Sequence, residues 1–209
     1  AYYGLEGVGF SEQRHDGFRS RLSEIGFTTL SFLSTPMFRL KSEKWHAQHI
    51  ELAAWLQQIP KPVGLFAVSD YRSMHVLSVC RELGLRCPQE VAVLGVDNEE
   101  VICRHQEPEL SSVARDDRLE GFRAAEMLDR LLRGEKAEPR ITIPPLEVIE
   151  RESTNFLAIE NERIGSAFDF ISNSISQSHD LDAIARHVGV CGRVGPEARI
   201  RSPIAFDRS

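Results

Sequence analysis

The sequence predicts an α/β protein built on a parallel sheet with flanking helices, followed by a small all-α segment. Three features predict it. Val63-Gly-Leu-Phe-Ala-Val68 and Val91-Ala-Val-Leu-Gly-Val96 are continuous apolar runs, the signature of strands buried on both faces of a parallel sheet. Stretches with helical apolar spacing lie around them, so strand and helix alternate. After about residue 158 the spacing is helical throughout.

Ala1-Tyr-Tyr-Gly4 reads as the end of a buried strand, and an opening inside a strand without methionine leads us to expect a fragment. Ser11 reads as the N-cap of a helix reaching about Glu24, closed by Gly26. Thr28 to Leu33 is a short β-rich run. Ser42 caps a second expected helix whose inward positions are Trp45, Ile50, Ala53, Leu56 and Ile59, stopped by Pro60 and Pro62. After the first apolar run, Asp70 sits at an N-cap, with Met74, Leu77 and Cys80 inward and Gly84 ending the helix. Leu110 to Val113 is a third parallel strand. Asp117 opens a helix carrying Leu119, Phe122, Met127, Leu128, Leu131 and Leu132, closed by Gly134. Ile141 to Ile149, broken by Pro144-Pro145, is extended and belongs at an edge, where missing N–H donors are tolerated. A polar linker then leads to two amphipathic helices, one on Ile164, Ala167, Phe168, Ile171 and Ile175, the other from Asp180 to Val188. The expected units are 1–157 and 158–209.

The 209 residues are 42% apolar and 27% charged, an ordinary globular mix. No apolar run approaches membrane-spanning length and no secretory signal is visible, so neither a membrane nor export is expected. Cys80, Cys87, Cys103 and Cys191 are scattered, which suits free thiols in a cytoplasmic compartment. The formal charge of −6 argues against phosphate binding by most of the chain. No metal and no cofactor is expected. There is no C-x-x-C pair, no phosphate loop, and Gly4-Leu-Glu-Gly7-Val-Gly9 has the wrong spacing for a dinucleotide. Ser69 lacks nucleophile-elbow glycines, and His15, His46, His49 and His75 show no ligand spacing, so an enzyme is not expected.

Ligands of open parallel sheets sit outside the carboxyl ends of the strands. Two strands end there in polar pairs, Ser69-Asp70 and Asp97-Asn98. Such groups suit vicinal hydroxyls, Arg14 adds a fork of donors, and Trp45 or Tyr71 offers an aromatic cover for a sugar face. Plainer readings stand beside these. Asp70 reads equally as a helix cap, Asp97-Asn98 as a turn, Arg14 as a solvated surface group and Trp45 as core. In the second unit, Ala185 and Gly189 have the spacing of a helix-turn-helix, with Arg193 where a recognition helix would follow. Against that, Gly192, Gly195 and Pro196 are poor helix material, and six arginines face seven carboxylates from 158 onward.

The strings GLFAVSDYRSMHVLSVCRELGLRCPQEVAVLGVDNEE, ELSSVARDDRLEGFRAAEMLDRLLRGE and ITIPPLEVIERESTN resemble the sensor domain of LacI-type transcription regulators. The nearest branch is the xylose operon regulators, in which such a sensor precedes an AraC-type DNA-binding domain. The resemblance covers residues 1 to about 190. It implies a partial periplasmic-binding-protein-like sheet, a pentose ligand such as D-xylose, operator DNA and a homodimer. It also implies that Arg14 and Asp97 hold the sugar, with Asn98 assisting, and that Ser69-Asp70 stands where many relatives carry Asn-Asp. A first sensor lobe is expected ahead of Ala1. GRVGPEARIRSPIAFDRS departs from the family's recognition helix. A transport-type periplasmic sugar-binding protein is the alternative, and the helical tail argues against it.

Overall fold

A computed structural model describes residues 1–36, 43–155, 166–167, 170–171 and 181–189, with the side chains of residues 43–45 and 181 left out of the description. The chain divides into two compact units, Ala1–Phe156 and Leu157–Ser209. In the first, strands and helices alternate as β1 (Tyr2–Leu5), α1 (Gly9–Glu24), β2 (Ser31–Ser34), α2 (Glu43–Gln58), β3 (Val63–Ala67), α3 (Asp70–Leu83), β4 (Val91–Asp97), α4 (Glu100–Arg104), β5 (Ser111–Ala114), α5 (Asp117–Leu132) and β6 (Val148–Ile149). A single 3-10 turn, Glu152–Thr154, follows.

The six strands pair in the order β2-β1-β3-β4-β5-β6. All pairings are parallel except β5 with β6, which is antiparallel at the edge. The order reverses between β1 and β3, so successive connections leave the sheet in opposite directions there. This opens a crevice outside the strand ends, the usual ligand position of a doubly wound sheet.

The main core lies between the sheet and helices α2 and α3. Tyr3, Leu65, Val91 and Val93 of the sheet meet Leu52, Leu56, Val76, Leu77 and Cys80 of the helices. The opposite face is thinner. Tyr2 stacks on His15 with ring centroids 4.6 Å apart, and Phe18 packs on Phe66 at 5.2 Å. Yet α1 buries only Ser11 and α5 buries nothing. The apolar runs are therefore not sunk equally on both sides. β3 alternates, with Leu65 and Ala67 buried but Phe66 half-buried and Gly64 exposed.

Several local expectations change. Ser11 is no N-cap: α1 starts at Gly9, and the buried Ser11 hydroxyl instead accepts the Leu5 amide at 2.8 Å. It satisfies a strand-end donor that the sheet leaves unpaired. Ser42 and the Trp45 side chain lie outside the described residues. Ile50 of α2 and Met74 of α3 face outward, and the packed positions are Leu52 and Leu56, and Val76 and Leu77. The N-cap of α3 is Ser69, not Asp70. At α5 the cap is Asp116, whose carboxylate accepts the Leu119 amide at 2.9 Å. The apolar stripe of α5 is open to solvent, with Phe122 64% and Leu132 79% exposed.

In the second unit, α6 (Leu181–His187) closes on Gly189, whose φ of +66° is the left-handed turn a glycine adopts without strain. Residues 166–167 and 170–171, which include Ala167 and Ile171, are helical. Ile164, Phe168, Ile175 and Arg193 fall outside the described residues. No helix among the described residues is long and apolar enough to cross a membrane.

Candidate ligand site at the strand tips

β4 ends in an unusual turn. Asp97 has φ +110° and Asn98 φ +53°. Side chains other than glycine rarely adopt this region, so two in succession store strain that the surroundings must hold. The hold is visible. The Asn98 amide donates to Ser112 Oγ at 3.0 Å, and the Asn98 side-chain oxygen accepts from Arg151 at 2.8 Å. Arg151 is itself fixed on the Leu110 carbonyl at 2.7 Å. One residue further on, the Glu99 amide donates to Asp70 Oδ2 at 2.8 Å.

Asp70 is therefore an interior group. It is 1% exposed, and its carboxylate accepts the Ser112 hydroxyl at 2.6 Å on Oδ1 and the Glu99 amide and Cys103 thiol on Oδ2. Burial pushes its carboxyl above the usual range, and the hydrogen bonds from Ser112, Glu99 and Cys103 oppose that rise. It ties the start of α3 to the start of α4 and to β5. Gly95 makes this possible, because a Cβ there would collide with the Asp70 carboxylate and crowd Ser73 Oγ. Ser69 is half-buried, and its side chain makes no cap bond to α3.

Asp97 points the other way, toward the crevice. Its Oδ1 accepts Arg115 at 3.1 Å and lies 3.5 Å from Arg14, with the Asp97 and Arg14 side chains each 25% exposed. Among the described residues no group donates to Oδ2. Arg14 reaches across the β1/β3 break, donating from Nη1 to the Val68 carbonyl at 2.5 Å, while its guanidinium lies 5.3 Å from the Phe10 ring. Arg115 also pairs with Glu120 at 2.5 Å and Asp117 at 3.4 Å. Beside these groups lies a cleft of about 300 Å³, lined by Arg14, Arg115, Phe66, Val96, Ile143 and Pro144.

The structure thus brings Arg14, Asp97 and Asn98 to one sheet edge and turns Asp70 inward. Sequence reasoning missed Arg115, Ser112 and Arg151. Arg115 stands directly after a strand and before two aspartates, a signal that it belongs at the same tips. Tyr71 is exposed and does not line this cleft.

A family model for the periplasmic binding protein-like domain matches residues 1–154. The chain belongs to this family. This periplasmic-binding-protein-like chain is 34% identical to the xylose operon regulatory protein of Escherichia coli strain K12 over 98% of its own length and 52% of the relative's. It is 30% identical to the protein of the same name from Haemophilus influenzae, over 90% of this chain and 49% of that one. The solved structure of the xylose-binding transcription activator XylR superposes with a TM-score of 0.74 at 33% identity, covering 91% of this chain and 50% of that one. The periplasmic-binding-protein-like chain spans about half the length of the curated relatives it matches.

Proposed function

We propose that this chain is a sensor part of a sugar-responsive transcription regulator, with D-xylose as its ligand, acting in the cytoplasm with operator DNA as a homodimer. The relatives named as xylose operon regulatory proteins support the reading. The observation that carries it is the Asp97 carboxylate, with one oxygen shared by two arginines and the other unclaimed at a partly open sheet edge.

In this reading Asp97 Oδ2 accepts a hydroxyl from the pentose, and the neighbouring guanidinium of Arg14 donates to an adjacent hydroxyl oxygen. Vicinal hydroxyls act as donor and acceptor at once, so a carboxylate beside an arginine matches them. Ser69 and Asn98 flank the contact. Asp70 acts as a positioning residue through Ser112 and the Glu99 amide. A bound sugar shifts the regulator only by the difference in its affinity for two states. Asp97 and Arg14, on separate elements, are placed to feel such a difference.

The test is nuclear magnetic resonance of the isotope-labelled chain titrated with D-xylose. The amides of Arg14, Asp97 and Asn98 should shift together, and Asp97→Asn should weaken the response about ten-fold or more, the scale of losing a charged hydrogen-bond partner. A response at other residues, or one unaltered in Asp97→Asn, overturns the reading.

A further inference from the structure

On the other side of the sheet, α2 and α3 enclose a second polar cluster. Arg72 is 5% exposed. Its guanidinium donates to the Tyr3 hydroxyl at 3.2 Å and lies 5.8 Å from that ring. No carboxylate among the described residues pairs with it. Next to it, His75 Nδ1 meets the Tyr3 hydroxyl at 3.1 Å, and His75 Nε2 meets His49 Nδ1 at 3.2 Å. The chain of contacts ends where His49 Nε2 meets Glu82 at 2.7 Å. A buried cation is costly unless a counter-charge answers it. The Glu82 carboxylate is paired with His49, at the far end of the contacts.

Arg72, His75 and His49 line a cavity of about 570 Å³ that also takes in Arg81, Ser78 and Tyr71. Two guanidiniums, two imidazoles, two hydroxyls and the Gln106 carboxamide line it, with no carboxylate among the described lining residues. It shares no lining residue with the cleft at the strand tips. Its volume falls in the range that holds small organic ligands rather than a lone ion.

We propose that this cavity binds an oxyanion carried on a small organic body, a phosphorylated or carboxylated metabolite, with Arg72 as its charged anchor and Arg81 at its rim. The planar fork of Arg72 suits two oxygens of a phosphoryl or carboxylate group. The site stands apart from the sugar reading and survives its failure.

The experiment is calorimetric titration of the whole chain at fixed ionic strength with ribose 5-phosphate, inorganic phosphate and ribose. Ribose 5-phosphate should bind about ten-fold or more tightly than ribose, with inorganic phosphate between them. Arg72→Met should lose about ten-fold or more, and Arg81→Gln, exposed and therefore safe for folding, about three-fold or more. Asp97→Asn should leave the affinity unchanged. Equal binding of the two sugars, or unchanged affinity in folded Arg72→Met or in Arg81→Gln, overturns the proposal. Loss of binding in Asp97→Asn moves the anion to the strand tips and overturns it as well.

Discussion

His75 is held between Tyr3 and His49, and burial pushes its imidazolium down to about 4 from an ordinary 6.5. Charge on His49 and Arg72 pushes the same way, while Glu82 opposes it. The folded state therefore keeps His75 neutral where the unfolded chain would protonate it. A His whose folded value is depressed contributes full stability above 6.5 and loses it as pH falls from 6.5 toward about 4. Between pH 7.5 and 5 that linkage removes about 2 kcal/mol. Urea unfolding at the two pH values checks it. His75→Gln should shrink the difference by about that amount, and an equal pH response in both proteins assigns the acid sensitivity elsewhere. Asp97 shows the same economy in backbone form. Its strained φ persists because Ser112, Arg151 and Asp70 hold the residues that follow it.

At the level of elements, the clamp around Asp70 joins α3, α4 and β5, and Gly95 of β4 is the space it needs. Gly95→Ala should destabilise the chain by about 1–3 kcal/mol, as overpacking does, measured as a lower midpoint of chemical unfolding. In an Asp70→Ala background the same change should cost less, because the carboxylate it strikes is gone, and a double-mutant cycle reads that coupling. Additive effects would mean that Gly95 answers to Ser73 or Leu110 rather than to Asp70. Much of this layer was readable in the sequence. The runs at Val63 and Val91 gave β3 and β4, and Asp117 with its apolar repeat gave α5 to within a residue of its start. Helix α4 escaped notice because five residues carry too little periodicity to register. The exposure of α5 was beyond reach for a different reason. Periodicity reports which side of a helix is apolar, not whether anything packs on that side, and here Phe122 and Leu132 face solvent. The site divides in the same way. Asp97 and Asn98 follow from strand-end position and Arg14 from its place early in a helix and from the resemblance, whereas Ser112 and Arg151 act across 14 and 53 residues of chain to reach Asn98, a relation no local pattern carries.

For the whole molecule, charge decides which partner the chain can hold by itself. A net −6 repels the DNA backbone, and the segment from 158 onward supplies no basic patch to offset it, with six arginines against seven carboxylates. Helix α6 ends at a left-handed Gly189, and a helix-turn-helix is the expectation that the Ala185 and Gly189 spacing raises. The residues after that turn then have to build a helix that enters the major groove. Gly192, Gly195 and Pro196 stand there instead, at about 1 kcal/mol per glycine and about 3 kcal/mol for proline in a helix interior. Arg193 is the one cation ahead of Pro196, and Arg199, Arg201 and Arg208 come only after the proline. One arginine in the turn's first residues can neutralise a single phosphate there, too little for the salt-dependent affinity that specific binding builds on. This chain alone should therefore enrich no motif from a pool of random duplexes at physiological salt, and any retained DNA should wash off with added salt. Fluorescence anisotropy on the recovered pool is the check. A single enriched sequence bound more tightly than about 10⁻⁷ M, near the range of specific sites, would mean that residues 190–209 form a working recognition helix despite their composition.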